Sequence, residues 1–204
     1  MSDYTIYRVP AYQTHNVDMK FESVSDGEFT LIEEQSPSPS FPVNGNDIVK
    51  VKVLHNGVSK YIYALYKSQD YDGLDFRLTC SFDSDVYGGI AEAETDVITL
   101  EYVDEADLVS AIDVKGYNLS PNFTVATYGK SYNAYNFVES YNISIPQERI
   151  KYSNGFKSMY NNYDDKILVD VCDRKVYKVS PTDLSVTAVN GSIKTSLNFN
   201  VIIK

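Results

Sequence analysis

Residues 47 to 67 read DIVKVKVLHNGVSKYIYALYK, two runs of alternating apolar and polar residues on either side of Asn56-Gly57. Asn-Gly tolerates the two positive φ angles of a type I′ turn, and period-2 alternation marks a half-buried strand, so the stretch predicts a β-hairpin. With Asn56 and Gly57 as the loop, His55 faces Val58, Val53 faces Lys60, Val51 faces Ile62 and Val49 faces Ala64. That face is almost wholly apolar. The other face sets Lys52 against Tyr61 and Lys50 against Tyr63, ammonium and phenol pairs that tolerate water. A slip of one residue would turn Val49, Val51 and Val53 into solvent, so the register is strongly specified.

Related signals recur along the chain. Phe21 to Ile32 alternates around Asp26-Gly27, and Asn190-Gly191 sets Ala188 opposite Ile193 and Leu184 opposite Leu197. Phe76–Phe82, Ile90–Ala93 and Val97–Val103 have strand composition. Ile167–Cys172 and Lys175–Val179 form a hairpin around Asp173-Arg174, and Asn154-Gly155 closes another. Two stretches have helical spacing: Asp104 to Asp113, with Leu108, Ala111 and Ile112 on one face, and Ala134, Phe137, Val138, Tyr141. The expected fold is mainly β, an antiparallel β sandwich or barrel with one or two short helices. Ser36 to Pro42 holds three prolines, which exclude helix and disfavour a central strand. Residues 1 to 42 are therefore expected as an extended N-terminal arm with a Pro-rich linker, and residues 43 to 204 as the β-rich body.

Composition narrows the function classes. A net charge of −10 opposes binding to a phosphate backbone, where affinity comes from Lys and Arg displacing counterions, so no nucleic acid partner is expected. No apolar run approaches the roughly 18 residues of a membrane span, and no membrane partner is expected either. Cys80 and Cys172 have no metal or disulfide spacing and read as buried free thiols. With only His15 and His55, both in polar surroundings, and no nucleophile elbow, Walker loop, dinucleotide fingerprint or HExxH, the chain is read as not an enzyme, with no cofactor.

Asp83, Asp85, Gly88, Ile90 and Glu94 fall at positions 1, 3, 6, 8 and 12 of a segment that resembles an EF-hand calcium loop. Tyr87 at position 5 supplies no ligand oxygen, and the strand-like flanks lack the two helices, so the segment is read as a solvated acidic turn. A non-helical calcium site using some of these oxygens is the competing reading.

Charge is unevenly spread. Residues 68 to 113 carry 13 carboxylates against one cation, Arg77, whereas residues 114 to 204 carry 11 cations against 7 carboxylates. Opposed charge blocks orient and accelerate docking between protein surfaces. The expectation is a non-enzymatic structural component of a macromolecular assembly, a bacteriophage virion accessory protein at the capsid or tail, whose partners are other proteins of the assembly or copies of itself. Its location is then the virion, and otherwise the cytoplasm. This rests on texture, with no family motif. The alternative is a recognition module for carbohydrate or a cell surface. It would use Tyr132, Asn133, Tyr135, Asn136 and Tyr141, since Tyr offers broad contact with few rotors and Asn both donors and acceptors.

Overall fold

The computed structural model describes residues 4–15, 19–36, 45–55, 57–93, 97–114, 122–128, 135–146, 150–152, 164–170, 172–189 and 192–201. They form two antiparallel sheets. The seven-stranded sheet has the order β2 (Gln13–His15), β8 (Val97–Val103), β5 (Ile48–His55), β6 (Val58–Tyr71), β7 (Phe76–Phe82), β4 (Glu28–Glu33), β3 (Lys20–Ser25). The eight-stranded sheet runs β10 (Asn122–Tyr128), β11 (Tyr135–Pro146), β15 (Ser192–Val201), β14 (Lys175–Val189), β13 (Asp165–Asp170), β1 (Tyr4–Val9), β9 (Val109–Val114), β12 (Ile150–Tyr152). Helix α1 (Ser84–Ala93) and a 3-10 turn at Glu105–Asp107 complete the described elements. Among the described residues no helix is long and apolar enough to cross a membrane.

The β5–β6 hairpin has the expected register, from His55 opposite Val58 down to Val49 opposite Ala64, and Gly57 takes φ +77°. Val49, Val51, Val53, Ile62 and Ala64 are fully buried. Its second face is more enclosed than the sequence indicates. Tyr63 is 1% exposed, and Ile48 and Leu65 on that face are buried too. The reason lies in the layers. Val97 N–H donates to the Met19 carbonyl at 3.0 Å, so the seven-stranded sheet bends round toward closure without closing. The base of the hairpin is buried inside that curl and, on the other side, beneath the eight-stranded sheet. Lys50 pairs there with Glu101 and lies between the rings of Tyr12 and Tyr61, 4.6 and 4.8 Å from the ammonium. One buried cluster joins Ile6, Leu168 and Val176 of one sheet to Leu31, Val51 and Leu78 of the other, a sandwich-like arrangement.

The expected arm is corrected. β1 pairs with β13 on one side and β9 on the other, with Tyr4, Ile6 and Val9 buried, while β3 and β4 form a hairpin on β7. Tyr4 and Ile6 keep a strand's period of two but Val9 breaks it, so the local pattern is weak and only the pairing on both sides makes β1 an interior strand. Ser36 is buried, whereas Pro37 to Pro42 lie outside the described residues.

Three local expectations fail for identifiable reasons. Asp104 to Asp113 is a single 3-10 turn followed by β9, because Val109 to Val114 pairs with β1 and tertiary pairing overrides the helical spacing. Ile90–Ala93 belongs to α1 and is not a strand. Residues 135 to 146 form strand β11, where the register passes from Thr124–Ser140 to Val125–Val138. The extra residue, Glu139, is a bulge that shifts the phase of alternation and imitates helical spacing. The 167–179 hairpin exists, with its described turn at Cys172–Arg174 and Val169 opposite Val176. The C-terminal hairpin matches its expected register, Ala188 with Ile193 and Leu184 with Leu197. Asn154-Gly155 lies outside the described residues. Cys80 is a buried free thiol whose pKa burial pushes up, but Cys172 is exposed in the β13–β14 turn.

β14 changes partners along its length. Lys175 to Val179 pairs with β13, and Val179 to Val189 pairs with β15. A polar clamp beside this strand ties the sheets together. Arg174, at φ +52°, donates from Nε to Ser81 Oγ at 3.1 Å and from a second nitrogen to the Tyr66 carbonyl. Tyr177 hydroxyl donates to Asp83, which Lys175 approaches at 3.4 Å.

Val51→Asp places an unpaired charge in this core and is expected to cost roughly 3 kcal/mol or more, against under about 0.5 for Lys52→Gln. Equal melting temperatures for the two would contradict the burial described. A chain beginning at residue 43 loses β1 to β4 and should show no cooperative thermal transition; a native-like melt would restore the detached arm.

Candidate interaction site at the turn between β6 and β7

Large apolar side chains are exposed at the two ends of β6. Leu54 and Val58 flank the β5–β6 turn, while Tyr71 and Leu74, 40% and 58% exposed, stand at the β6–β7 turn. The second group is set in a built surround. Asp72 Oδ1 accepts the N–H groups of Leu74 and Asp75 at 3.0 and 2.9 Å, and Asp72 N–H donates to the Asp75 carbonyl at 3.3 Å. Gly73, at φ +96°, makes the bend that a Cβ would strain. From outside, Gln35 N–H donates to Asp75 Oδ1 at 3.1 Å and Ser36 N–H to the Leu74 carbonyl at 3.0 Å. Leu74 is therefore held out in water by a fixed backbone.

The rim is acidic. Asp70, Asp72 and Glu34 are exposed and Asp75 is partly so. Arg77 sits among them, donating to Asp72 Oδ2 at 2.8 Å and to Glu22 Oε1 at 3.0 Å, with Asp75 at 3.7 Å. The backbone N–H groups of Asp75 and Leu74, together with Arg77, hold the Asp72 carboxyl at about 2, well below its ordinary value. Further along the same edge Lys67 pairs with Glu28 and Lys20 lies 3.9 Å from Glu34. The sequence singles out Arg77 as the one cation of the acidic block, and the structure surrounds it with three carboxylates, two from the β6–β7 turn and one from β3. What this arrangement can do is present a preordered apolar anchor within a negative field.

The reading of the calcium-loop-like segment as a solvated acidic turn is corrected, since it opens helix α1. Asp83 is the N-cap of α1: its Oδ1 accepts Asp85 N–H at 3.0 Å and its carbonyl accepts Tyr87 N–H at 2.9 Å. Val86, Tyr87, Ile90 and Ala91 form the buried stripe of the helix. Asp83 is buried and committed to Tyr177 and Lys175, Asp85 is exposed, and Glu94 lies outside the described residues. Among the described residues no group of carboxylates, His and Cys is arranged to hold a metal ion. Another acidic pair extends the β5–β8 register: Asp47, buried, lies beside Asp104, whose carboxyl burial and Asp47 both push up.

Of the Tyr and Asn residues read as binding contacts, Tyr135 pairs with Tyr128, Asn136 with Thr127, and Tyr141 with both Phe123 and Val201, all along β11. Tyr132 and Asn133 lie outside the described residues. His15 and His55 are at the ends of β2 and β5. The chain matches no protein family, no curated protein and no solved structure.

Because the folded pKa of Asp72 lies below the unfolded one, its ordering of the turn is complete above about pH 4 and lost as pH falls through 2. By NMR, the protection of the Leu74 and Asp75 amides, taken relative to intrinsic exchange at each pH, should fall across that window. Asp72→Ala should bring the same loss of protection to neutral pH, and unchanged protection would show that the turn is held elsewhere.

Proposed function

We propose that this chain is a non-enzymatic structural component of a macromolecular assembly, an accessory protein of a bacteriophage particle, docking its β6–β7 turn on a basic surface of a neighbouring subunit. The observation that carries this reading is Leu74, 58% exposed on a backbone fixed by Asp72, Asp75, Gln35 and Ser36. An apolar anchor ordered before binding loses little conformational entropy when it enters a pocket. The carboxylates around it steer a cationic partner at long range and penalise an anionic one. Assignment to a virion, at the capsid or the tail, is supported by the β body, the abundance of Tyr and Asn, the opposed charge blocks and the lack of catalytic signatures in the sequence.

The chain should copurify with native particles at fixed stoichiometry, and its absence from them removes the virion assignment. Rebinding of purified chain to depleted particles should slow at least about tenfold from low to high salt, since exposed charges are screened beyond about 8 Å at 0.15 M. Asp70→Lys should slow capture, and Leu74→Ala should speed release. Rates indifferent to salt and to both substitutions would leave the acidic rim as a solvated surface. Glycan binding abolished by Tyr135→Ala and Tyr141→Ala would instead identify a recognition module.

A further inference from the structure

The outermost strands of the two sheets differ in kind. β2 and β12 have three residues each, and β12 carries Lys151 at its centre. β3 bears Lys20 and Glu22 and is broken by a register shift between Phe21 and Ser23. Short length, charge and bulges are the means by which an edge strand avoids pairing with another chain. β10, Asn122-Phe-Thr-Val-Ala-Thr-Tyr128, has none of them: its seven residues include no charge, proline or glycine, and five are β-branched or aromatic. The bulge in its ladder falls on β11, at Glu139, which leaves β10 itself regular. One side of β10 is paired with β11 from Asn122 to Tyr128, and among the described residues no strand pairs with the other.

We propose that β10 pairs antiparallel with β10 of a second copy of this chain across a twofold axis, making the two eight-stranded sheets continuous. This goes beyond the docking proposed above and does not rest on it, since the acid-rimmed turn belongs to the other sheet. Charge selects a second copy as the occupant. A chain of net −10 meets itself most readily where like charges are sparse, and β10 has none, while β11 and β15 behind it bring one Glu139 and one Lys194. An uncharged strand sets no like charge opposite another in any antiparallel register. A twofold axis also closes the contact at two copies, so the edge is consumed and no fibre grows from it.

The test is sedimentation velocity of the full chain up to about 100 μM, with hydrogen exchange of the unmodified protein at the dilute and concentrated ends. A concentration-dependent dimer is expected, with added protection confined to residues 122–128. Val125→Lys, which brings two ammonium groups together near the axis, should raise the dimer dissociation constant at least about tenfold, while Ser23→Lys on β3 leaves it unchanged. A chain that stays monomeric throughout, a dimer whose added protection lies elsewhere, or a folded Val125→Lys that dimerises like the wild type overturns the proposal. Should Val125→Lys fail to fold, exchange on the unmodified chain decides alone. Loss of salt-dependent docking would leave this result untouched.

Discussion

Apolar burial brings two sheets together but does not say how they sit, and in this protein the orientation depends on the clamp around β14. Arg174 reaches from the turn before β14 to Ser81 and the Tyr66 carbonyl, and Tyr177 reaches from β14 itself to Asp83. Each of these groups is costly to bury unpaired, so any sliding of one sheet over the other would strand at least one of them. Asp83 also caps α1, and Ser84 beside it donates to Asp26 at 2.6 Å in the β3–β4 turn. A single carboxylate thus fixes the start of the helix, the position of β14 and, through its neighbour, the outer hairpin of the other sheet. Replacing it by an apolar residue would satisfy none of the three.

How much of this is legible in the sequence depends on the distance over which each signal acts. The β5–β6 and β14–β15 registers follow from Asn-Gly and period 2, both contained within a few residues. The position of β1 does not, because its partners β9 and β13 lie far along the chain and only their pairing makes it an interior strand. α1 is obscured by Gly88-Gly89, which reads as a turn, and by carboxylates whose spacing imitates a calcium loop. In β11 one extra residue, Glu139, erases the alternation that would have declared a strand.

The candidate site is half visible in the sequence. Asp70, Asp72, Asp75 and Arg77 stand out as an acidic cluster with one cation, and Asp72-Gly73 between Tyr71 and Leu74 is a turn signal with apolar flanks. Sequence does not reveal that Gln35 and Ser36 brace the same turn from 40 residues away or so in the chain. That bracing separates an exposed leucine that is ordered from one that is merely left over.

The exchange of partners along β14 has a mechanical meaning. Val179 is the residue where the ladder to β13 ends and the ladder to β15 begins, so within the eight-stranded sheet the two halves are spliced through one continuous strand. Tension drawn along β14 loads both ladders lengthwise, with their rungs sharing the shear. A sideways pull on β15 or β10 peels rungs singly and stops short of the β13 ladder, which belongs to the opposite half. The protein is thus stiffer along this strand than across it, because a lengthwise load is shared by both ladders and a sideways one is not.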